Sequence, residues 1–193
     1  LRGWSAAAAG AAAPAPLNPI GSGRFNGAMA QSAGRVLVPL APGFEDIELV
    51  AIADILRRAG LEVLLASLGA DLAPVAGAYG ARLVPDALLA DQRAEDFVAL
   101  VLPGGGPGTA ALRADRRVLE LVRAFDAAGK TLGAICAAPT VLAAAGALEG
   151  RAATSHGSVR AALGPARVVA DQAVVRSGHV LTSQGAGTAV EFA

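Results

Sequence analysis

The chain has 193 residues with 16 basic and 16 acidic side chains, so its formal net charge is zero. That length holds one domain with a real core, and the charge balance excludes the positive field that nucleic acid or an anionic membrane would need. The single cysteine, Cys136, excludes an intrachain disulfide framework and a Cys-rich zinc site, and His156 and His179 leave at most a weak metal site, so no metal is expected.

Residues 1–33 differ from the rest. Alanine repeats (Ala6–Ala9, Ala11–Ala13) are followed by Pro14, Pro16, Pro19, Gly21, Gly23 and Gly27, and the first acidic residue is Glu45. This composition predicts a disordered segment, or an organelle-targeting leader, since such leaders are rich in Ala, Ser and Arg and poor in acids. The remaining residues, 34–193, are expected to form the folded domain. The hydrophobic fraction of 54% overstates the core, because 48 residues are alanine and aromatics are only 4%. Outside the Ala-rich leader, no uncharged apolar run reaches the roughly 18 residues a membrane span needs. A cytoplasmic location is expected if the leader carries no address.

Order is expected from Arg35. Val36–Ala41 is a short apolar run without polar alternation, which predicts a strand buried on both faces. Pro42 and Gly43 end it. Apolar residues at Ile47, Val50, Ala51, Ile55, Leu56 and Ala59 then follow a helical period, with Arg57 and Arg58 in the last turn and Gly60 after it. Leu61–Leu68 reads as a second strand, so the order is βαβ and implies a parallel sheet.

The next stretch is less regular. Val75 and Arg82–Val84 predict a small hairpin around Gly77 and Gly80, and Pro85–Leu89 predicts a short helical turn. Phe97–Leu102 reads as a buried strand and runs into Pro103-Gly104-Gly105-Gly106-Pro107-Gly108. One helix is predicted from Leu112 to Ala128, closed by Gly129. Thr131–Ile135 is the next strand and Pro139–Ala145 the next helix. Short strands are expected near Ala152–Ser155, Arg167–Val169, Val174–Arg176 and Val180–Thr182, and Gly185-Ala186-Gly187-Thr188 opens a last helix.

Cys136 stands where a strand runs into a helix. A nucleophile at such a junction sits on a sharp turn with its side chain clear of the sheet, and Ala137 and Ala138 leave the approach open. The unpaired N–H groups and dipole of a helix start favour a thiolate, and the Ala137 N–H can face a developing oxyanion. The alternative is a buried core cysteine. The Gly-rich turn lacks the G-K-[ST] ending of a P-loop and the spacing of a dinucleotide site, so no nucleotide cofactor is expected. Gly104 and Gly105 let backbone approach a ligand closely, with the Gly105 N–H as a second oxyanion donor; the alternative is a plain turn between strand and helix.

Glu48 lies in the first turn of the first helix. A carboxyl buried there against a thiol would have a raised pKa and, when protonated, would donate a hydrogen bond to the thiolate. The alternative is an ordinary helix-start acid, a role that Glu45 and Asp46 fill more naturally. His156 is a candidate third member, as base or orienting group. His179 sits in the polar turn Ser177-Gly178-His179 and is the weaker candidate.

Five blocks together resemble the DJ-1/PfpI superfamily, most closely its DJ-1/YajL (ThiJ) branch. They are Val36–Glu48, Arg57–Gly60, Val101–Gly105, Ala134–Pro139 and Leu181–Thr188, in register from residue 35 to the end. The resemblance implies a flavodoxin-like, three-layer α/β sandwich with a mostly parallel central sheet, as in class I glutamine amidotransferases, and usually a homodimer. It makes Cys136 the nucleophilic or oxidisable cysteine, Glu48 its carboxylic acid, Gly105 and Ala137 the oxyanion donors beside Gly104, and His156 the nearby histidine. It implies cofactor-free conversion of methylglyoxal or glyoxal, deglycation of their adducts, or redox sensing and chaperone action. Cys136 is followed by Ala137, where the protease-like branches carry His, so a Cys–His–acid hydrolase is not expected. Tyr79-Gly80 stands where the family often carries an arginine in the small hairpin. The family continues through a full helix after the match to Glu191-Phe192-Ala193, so the last helix is expected to be incomplete.

Overall fold

In a computed structural model, residues 34–193 are described; the expectations for residues 1–33 fall outside them. The first unit is β1 (Arg35–Leu40), α1 (Asp46–Arg58) and β2 (Glu62–Ser67). The hairpin strands β3 (Val75–Ala76) and β4 (Arg82–Leu83) follow, then β5 (Ala87–Leu88) and β6 (Ala99–Leu102). Next come α2 (Gly106–Ala114), α3 (Arg116–Ala127), β7 (Thr131–Ile135) and α4 (Pro139–Ala144). Short strands β8 (Ala152–Ala153) and β9 (Arg167–Val168), the antiparallel pair β10 (Val174–Ser177) and β11 (Val180–Ser183), and α5 (Ala189–Phe192) complete the order.

The central sheet runs β10-β11-β7-β6-β1-β2-β5. Every pairing in it is parallel except β10 with β11. Alternate residues of β1 serve opposite layers. Val36, Val38 and Leu40 pack with Leu49, Ile52 and Phe192 under α1 and α5, whereas Leu37 packs with Leu112, Val118, Val122, Phe125 and Val141 under α2, α3 and α4. A strand with both faces covered needs apolar residues at every position, which is why these strands lack polar alternation. The chain steps from β1 outward to β2, then returns to the other side of β1 as β6. That reversal opens a crevice at the carboxyl ends of the strands, where open α/β sheets bind ligands.

Three local expectations are corrected. Pro85–Leu89 is not a helical turn: Ala87–Leu88 pairs with Ala66–Ser67 as an edge strand, and a 3₁₀ turn follows at Leu89–Asp91. Asp86 draws it there, because its N–H donates to the Leu65 carbonyl and its carboxylate accepts the Leu65 N–H, both at 2.8 Å. The single helix from Leu112 to Ala128 is two helices. Asp115 adopts extended backbone (ψ 114°) and caps α3 by accepting the Arg117 N–H. A short acid at an N-cap stabilises a new helix start by about 1 kcal/mol, which periodicity alone does not reveal.

The third correction concerns the face of α1. Ile47 and Val50 point to solvent at 58% and 47% exposure, whereas Glu48, Leu49, Ile52 and Ala53 are buried. Apolar residues surround much of this helix, so the period fits two faces, and the sheet selects the one that carries Glu48. Among the described residues no helix is long and apolar enough to cross a membrane.

Candidate functional site

Three strand ends build the site. After β1, the loop to α1 is folded tightly: Gly43 has φ +80°, and a Cβ there would lie 2.6 Å from the Pro107 ring. Glu45 then caps α1, its carboxylate accepting the Glu48 N–H at 2.7 Å, while its own N–H donates to the Gly104 carbonyl at 3.0 Å. Glu45 thereby ties the start of α1 to the end of β6. Glu48, one turn on, is fully buried and its Oε2 accepts the Gly104 N–H at 2.8 Å.

The first two of the three glycines after β6 are required by contact. A Cβ on Gly104 would lie 2.5 Å from Glu48 Oε2 and 2.6 Å from Cys136 Cβ; one on Gly105 would lie 2.3 Å from the Gly43 carbonyl oxygen. Gly105 also has φ +91°, a left-handed conformation that side chains disfavour.

Cys136 follows β7 and is half-buried. Its φ is +64°, the sole positive φ outside glycine among the described residues. This conformation costs on the order of 1 kcal/mol or more and is tolerated where surrounding structure holds it. The clamp is visible: the Cys136 N–H donates to the Ser183 carbonyl at 3.0 Å, and the Cys136 carbonyl accepts the His156 N–H at 2.8 Å. The turn throws Sγ clear of the sheet, and Pro139 starts α4 two residues after Ala137.

Glu48, Cys136 and His156 converge on one point. A Cβ on Gly185 would lie 3.9 Å from Cys136 Sγ, 3.9 Å from Glu48 Oε1 and 3.8 Å from His156 Cδ2. Any side chain at 185 would fill that space. Glu48 Oε1 is buried and has no hydrogen-bond partner other than the Cys136 thiol beside it. His156 is exposed and sits by the thiol without a hydrogen bond to it; its Nδ1 faces Ser158 Oγ at 2.7 Å. His179 lies at the other end of the sheet, against Asp126.

The electrostatics follow from burial. Burial pushes the Glu48 carboxyl up to about 7; the Gly104 N–H and Cys136 oppose this, and the Glu45 carboxylate adds to it. The Cys136 thiol is also pushed up, to about 11, first by burial, then by the Glu48 charge and its hydrogen bond, against the backbone N–H groups of Gly105 and Ala137. A thiol depressed by the start of α4 is therefore not what the resting site holds: α4 has six residues, and loss of water outweighs its dipole. The two groups form one coupled pair, with values near 7 and near 11, so between those pH values it holds a single proton, which rests on the sulfur. With that proton on Glu48, the sulfur is a thiolate facing two N–H donors.

The expected helix-start role of Glu45 is what α1 shows, but periodicity and composition missed its tie to Gly104 and the part played by Gly185. The Glu45–Gly104 tie and the space at Gly185, which read only as a helix entry, come from contacts distant in sequence. An apolar groove of about 290 Å³ opens on the α1 face between Val36, Ile52, Leu56, Val101, Leu181 and Phe192, and it carries no ionisable group. The chemistry lies at Cys136.

The family model described as "DJ-1/PfpI family" matches residues 34–193. The chain is 42% identical over 158 residues to Protein dj-1beta of Drosophila melanogaster, covering 81% of this chain and 84% of that one. It is 40% identical over 166 residues to the glutathione-independent glyoxalase DJR-1.2 of Caenorhabditis elegans, covering 85% and 86%. The crystal structure of the Drosophila DJ-1beta superposes with a TM-score of 0.78 over 82% of this chain and 85% of that one, at 42% identity. The oxidized DJ-1 of Toxoplasma gondii superposes with a TM-score of 0.78 over 83% and 86%, at 35% identity.

Proposed function

Starting from the DJ-1/PfpI family, to which this chain belongs, we propose that it is a cysteine-dependent, cofactor-independent enzyme of the glyoxalase or deglycase type. Its substrates are methylglyoxal, glyoxal or their adducts, and its role is protection against carbonyl and oxidative stress. The observation that carries this reading is the otherwise unpartnered Glu48 Oε1 beside Cys136, with the Gly105 and Ala137 N–H groups on the sulfur. The relative named a glutathione-independent glyoxalase supports it.

The chemistry proceeds in three steps. The Cys136 thiol gives its proton to Glu48 and the thiolate adds to the aldehyde carbon, forming a hemithioacetal whose oxygen is met by the Gly105 and Ala137 N–H groups. Proton transfer from C1 to C2 through an enediol oxidises C1 to a thioester and reduces the neighbouring ketone to an alcohol, with Glu48 or His156 as carrier. Water then cleaves the thioester, releasing the 2-hydroxy acid and restoring the thiol. The net change is addition of one water, and it needs neither glutathione nor metal. In the deglycase form the same thiolate displaces the side chain's thiol or amine from the hemithioacetal or aminocarbinol carbon, the leaving group taking up a proton, and the hemithioacetal on Cys136 then follows the same course.

A second reading is a redox sensor or chaperone, in which peroxide converts Cys136 to a sulfinate held by Glu48. The relative solved in an oxidized form favours keeping it. We also propose a homodimer; exposed Ile47 and Val50 on α1 offer an apolar face for it, and sedimentation of the full chain tests it. The deciding experiment is methylglyoxal turnover by the full chain beside intact mass after mild peroxide. The enzyme reading expects turnover that vanishes in Cys136→Ala; selective peroxide oxidation of Cys136 without turnover would overturn it in favour of the sensor.

A further inference from the structure

His156 has two ring nitrogens in different surroundings. Its backbone N–H is fixed to the Cys136 carbonyl at 2.8 Å, so the residue cannot drift from the nucleophile. From there the ring opens the 3₁₀ turn Gly157–Ala162, and its Nδ1 accepts the Ser158 backbone N–H at 3.3 Å. Ser158 Oγ lies 2.7 Å from the same nitrogen. A backbone N–H can only donate, so Nδ1 is the acceptor nitrogen. With no proton on Nδ1 for it to accept, the Ser158 hydroxyl donates too and shares the nitrogen's single lone pair with the backbone N–H. A neutral imidazole carries one N–H, and here it must stand on Nε2. The ring atom nearest the common point of Cys136 Sγ and Glu48 Oε1 is Cδ2, which is covalently bonded to Nε2. The protonated edge therefore borders the reactive atoms.

We propose that Ser158 is a positioning residue that holds His156 as its Nε2–H tautomer, so that the ring offers a hydrogen-bond donor, and not a base, to a substrate oxygen beside Cys136. The consequence for turnover rests on the function proposed above; the tautomer itself does not. Nδ1 is occupied by Ser158 and Nε2 already carries a proton, so His156 has no free lone pair facing the site. Proton transfer between C1 and C2 then falls to Glu48, whose Oε1 is engaged by nothing but the Cys136 thiol. His156 stabilises the negative charge that develops on the C2 oxygen of the enediol, a place the Gly105 and Ala137 N–H groups, directed at the sulfur and the C1 oxygen, do not serve. This selects substrates carrying a second oxygen next to the aldehyde.

The direct test is nitrogen-15 NMR of the histidine side chains in the full chain. His156 is expected to show an unprotonated Nδ1 and a protonated Nε2. The Nε2–H form should give way to a mixture in Ser158→Ala, which keeps the backbone N–H, and further in Ser158→Pro, which removes both donors at a helical-turn position that tolerates proline. Ser158→Thr should restore the wild-type signals. A wild-type ring protonated on Nδ1, or one unmoved by Ser158→Pro, overturns the proposal whether or not methylglyoxal is turned over. In turnover, His156→Gln keeps a donor without a base and should retain kcat within about tenfold, whereas His156→Leu should lose about 10²-fold, the usual cost of one such donor. Equal loss in both variants would make His156 a base and overturn the proposal. No turnover in the wild type, with the tautomer as expected, would instead count against the proposed function alone.

Discussion

At the carboxyl rim of the sheet, Glu48 and Cys136 meet, and among the described residues no salt bridge includes Glu48. At the amino rim, Asp126 at the end of α3 accepts from Arg151 at 2.6 Å and from His179 at 2.8 Å. Asp115, between α2 and α3, shows the paired case in its proton affinity: the Arg117 hydrogen bond holds its carboxyl below the usual range. Glu48 goes the other way, because it is buried without a cation. A carboxylate that is paired is fixed in one charge state and serves structure. One that is buried and unpaired keeps its proton within reach of neutral pH and can pass it on. The fold has thus placed a fully buried acid without a cation beside its one thiol, and has paired Asp115 and Asp126 with cations elsewhere.

The largest expected effect breaks the carboxyl rim outright. Cys136→Ala should abolish methylglyoxal turnover, by roughly 10³-fold or more, as removal of a nucleophile does. Unfolding temperature should change little, since the side chain is half-exposed and no described element depends on its sulfur.

Glu48→Gln comes next, with a turnover loss of about 10²–10⁴-fold, because the amide cannot carry the proton. Two pH dependences sharpen the contrast with the paired acids. The folded Glu48 binds its proton more tightly than the model carboxyl at 4.5. Its contribution is therefore harmless below pH 4.5, becomes unfavourable as pH rises, and reaches about 3 kcal/mol of lost stability above pH 7. Glu48→Gln should then unfold at higher temperature than wild type at pH 8, with the gap closing toward pH 4; a variant less stable at pH 8 would contradict the assignment. Alkylation of Cys136 should rise through an inflection near 11 in the wild type, and the inflection should move downward in Glu48→Gln, which removes the charge that holds the thiol up. A wild-type inflection near 7 would instead mean that the first proton to leave the pair comes from sulfur.

Gly104→Ala should cost about 1–3 kcal/mol of stability by overpacking. It should also cut turnover, because its Cβ would push Glu48 Oε2 off the Gly104 N–H. The smallest effect belongs to the amino rim. Asp126→Ala removes two partly exposed pairings and should cost about 1 kcal/mol in chemical denaturation, with turnover unchanged. A loss of turnover there would show that the two rims are coupled.

Much of the fold was legible because its signals are local. Continuous apolar runs marked β1, β2, β6 and β7, and the glycines after α1, α3 and α4 marked their ends. Cys136 stood out because it directly follows a strand, and Glu48 because it lies in the first turn of the helix that follows β1, where side chains reach the crevice. What failed in the reading was always a matter of partners. The strand at Ala87–Leu88 exists because Asp86 meets Leu65, 21 residues away. The break at Asp115 depends on a cap that competes with a continuous helical period. The buried face of α1 was misassigned because Ile47 and Val50 fit the period as well as Leu49 and Ile52 do.

By itself, the sequence determined the α/β order, the strand–helix junction that exposes the cysteine, and the glycines that keep backbone close to it. Those follow from residue volume, period and φ preference, which each residue carries with it. Only the tertiary structure decided that Glu48 turns inward with Oε1 beside the thiol and that Gly185 leaves the space where three side chains meet. It also decided that Ser158 occupies one nitrogen of His156 and that burial raises the thiol against its helix start. Those depend on which groups lose water together, and desolvation is a property of the assembled fold.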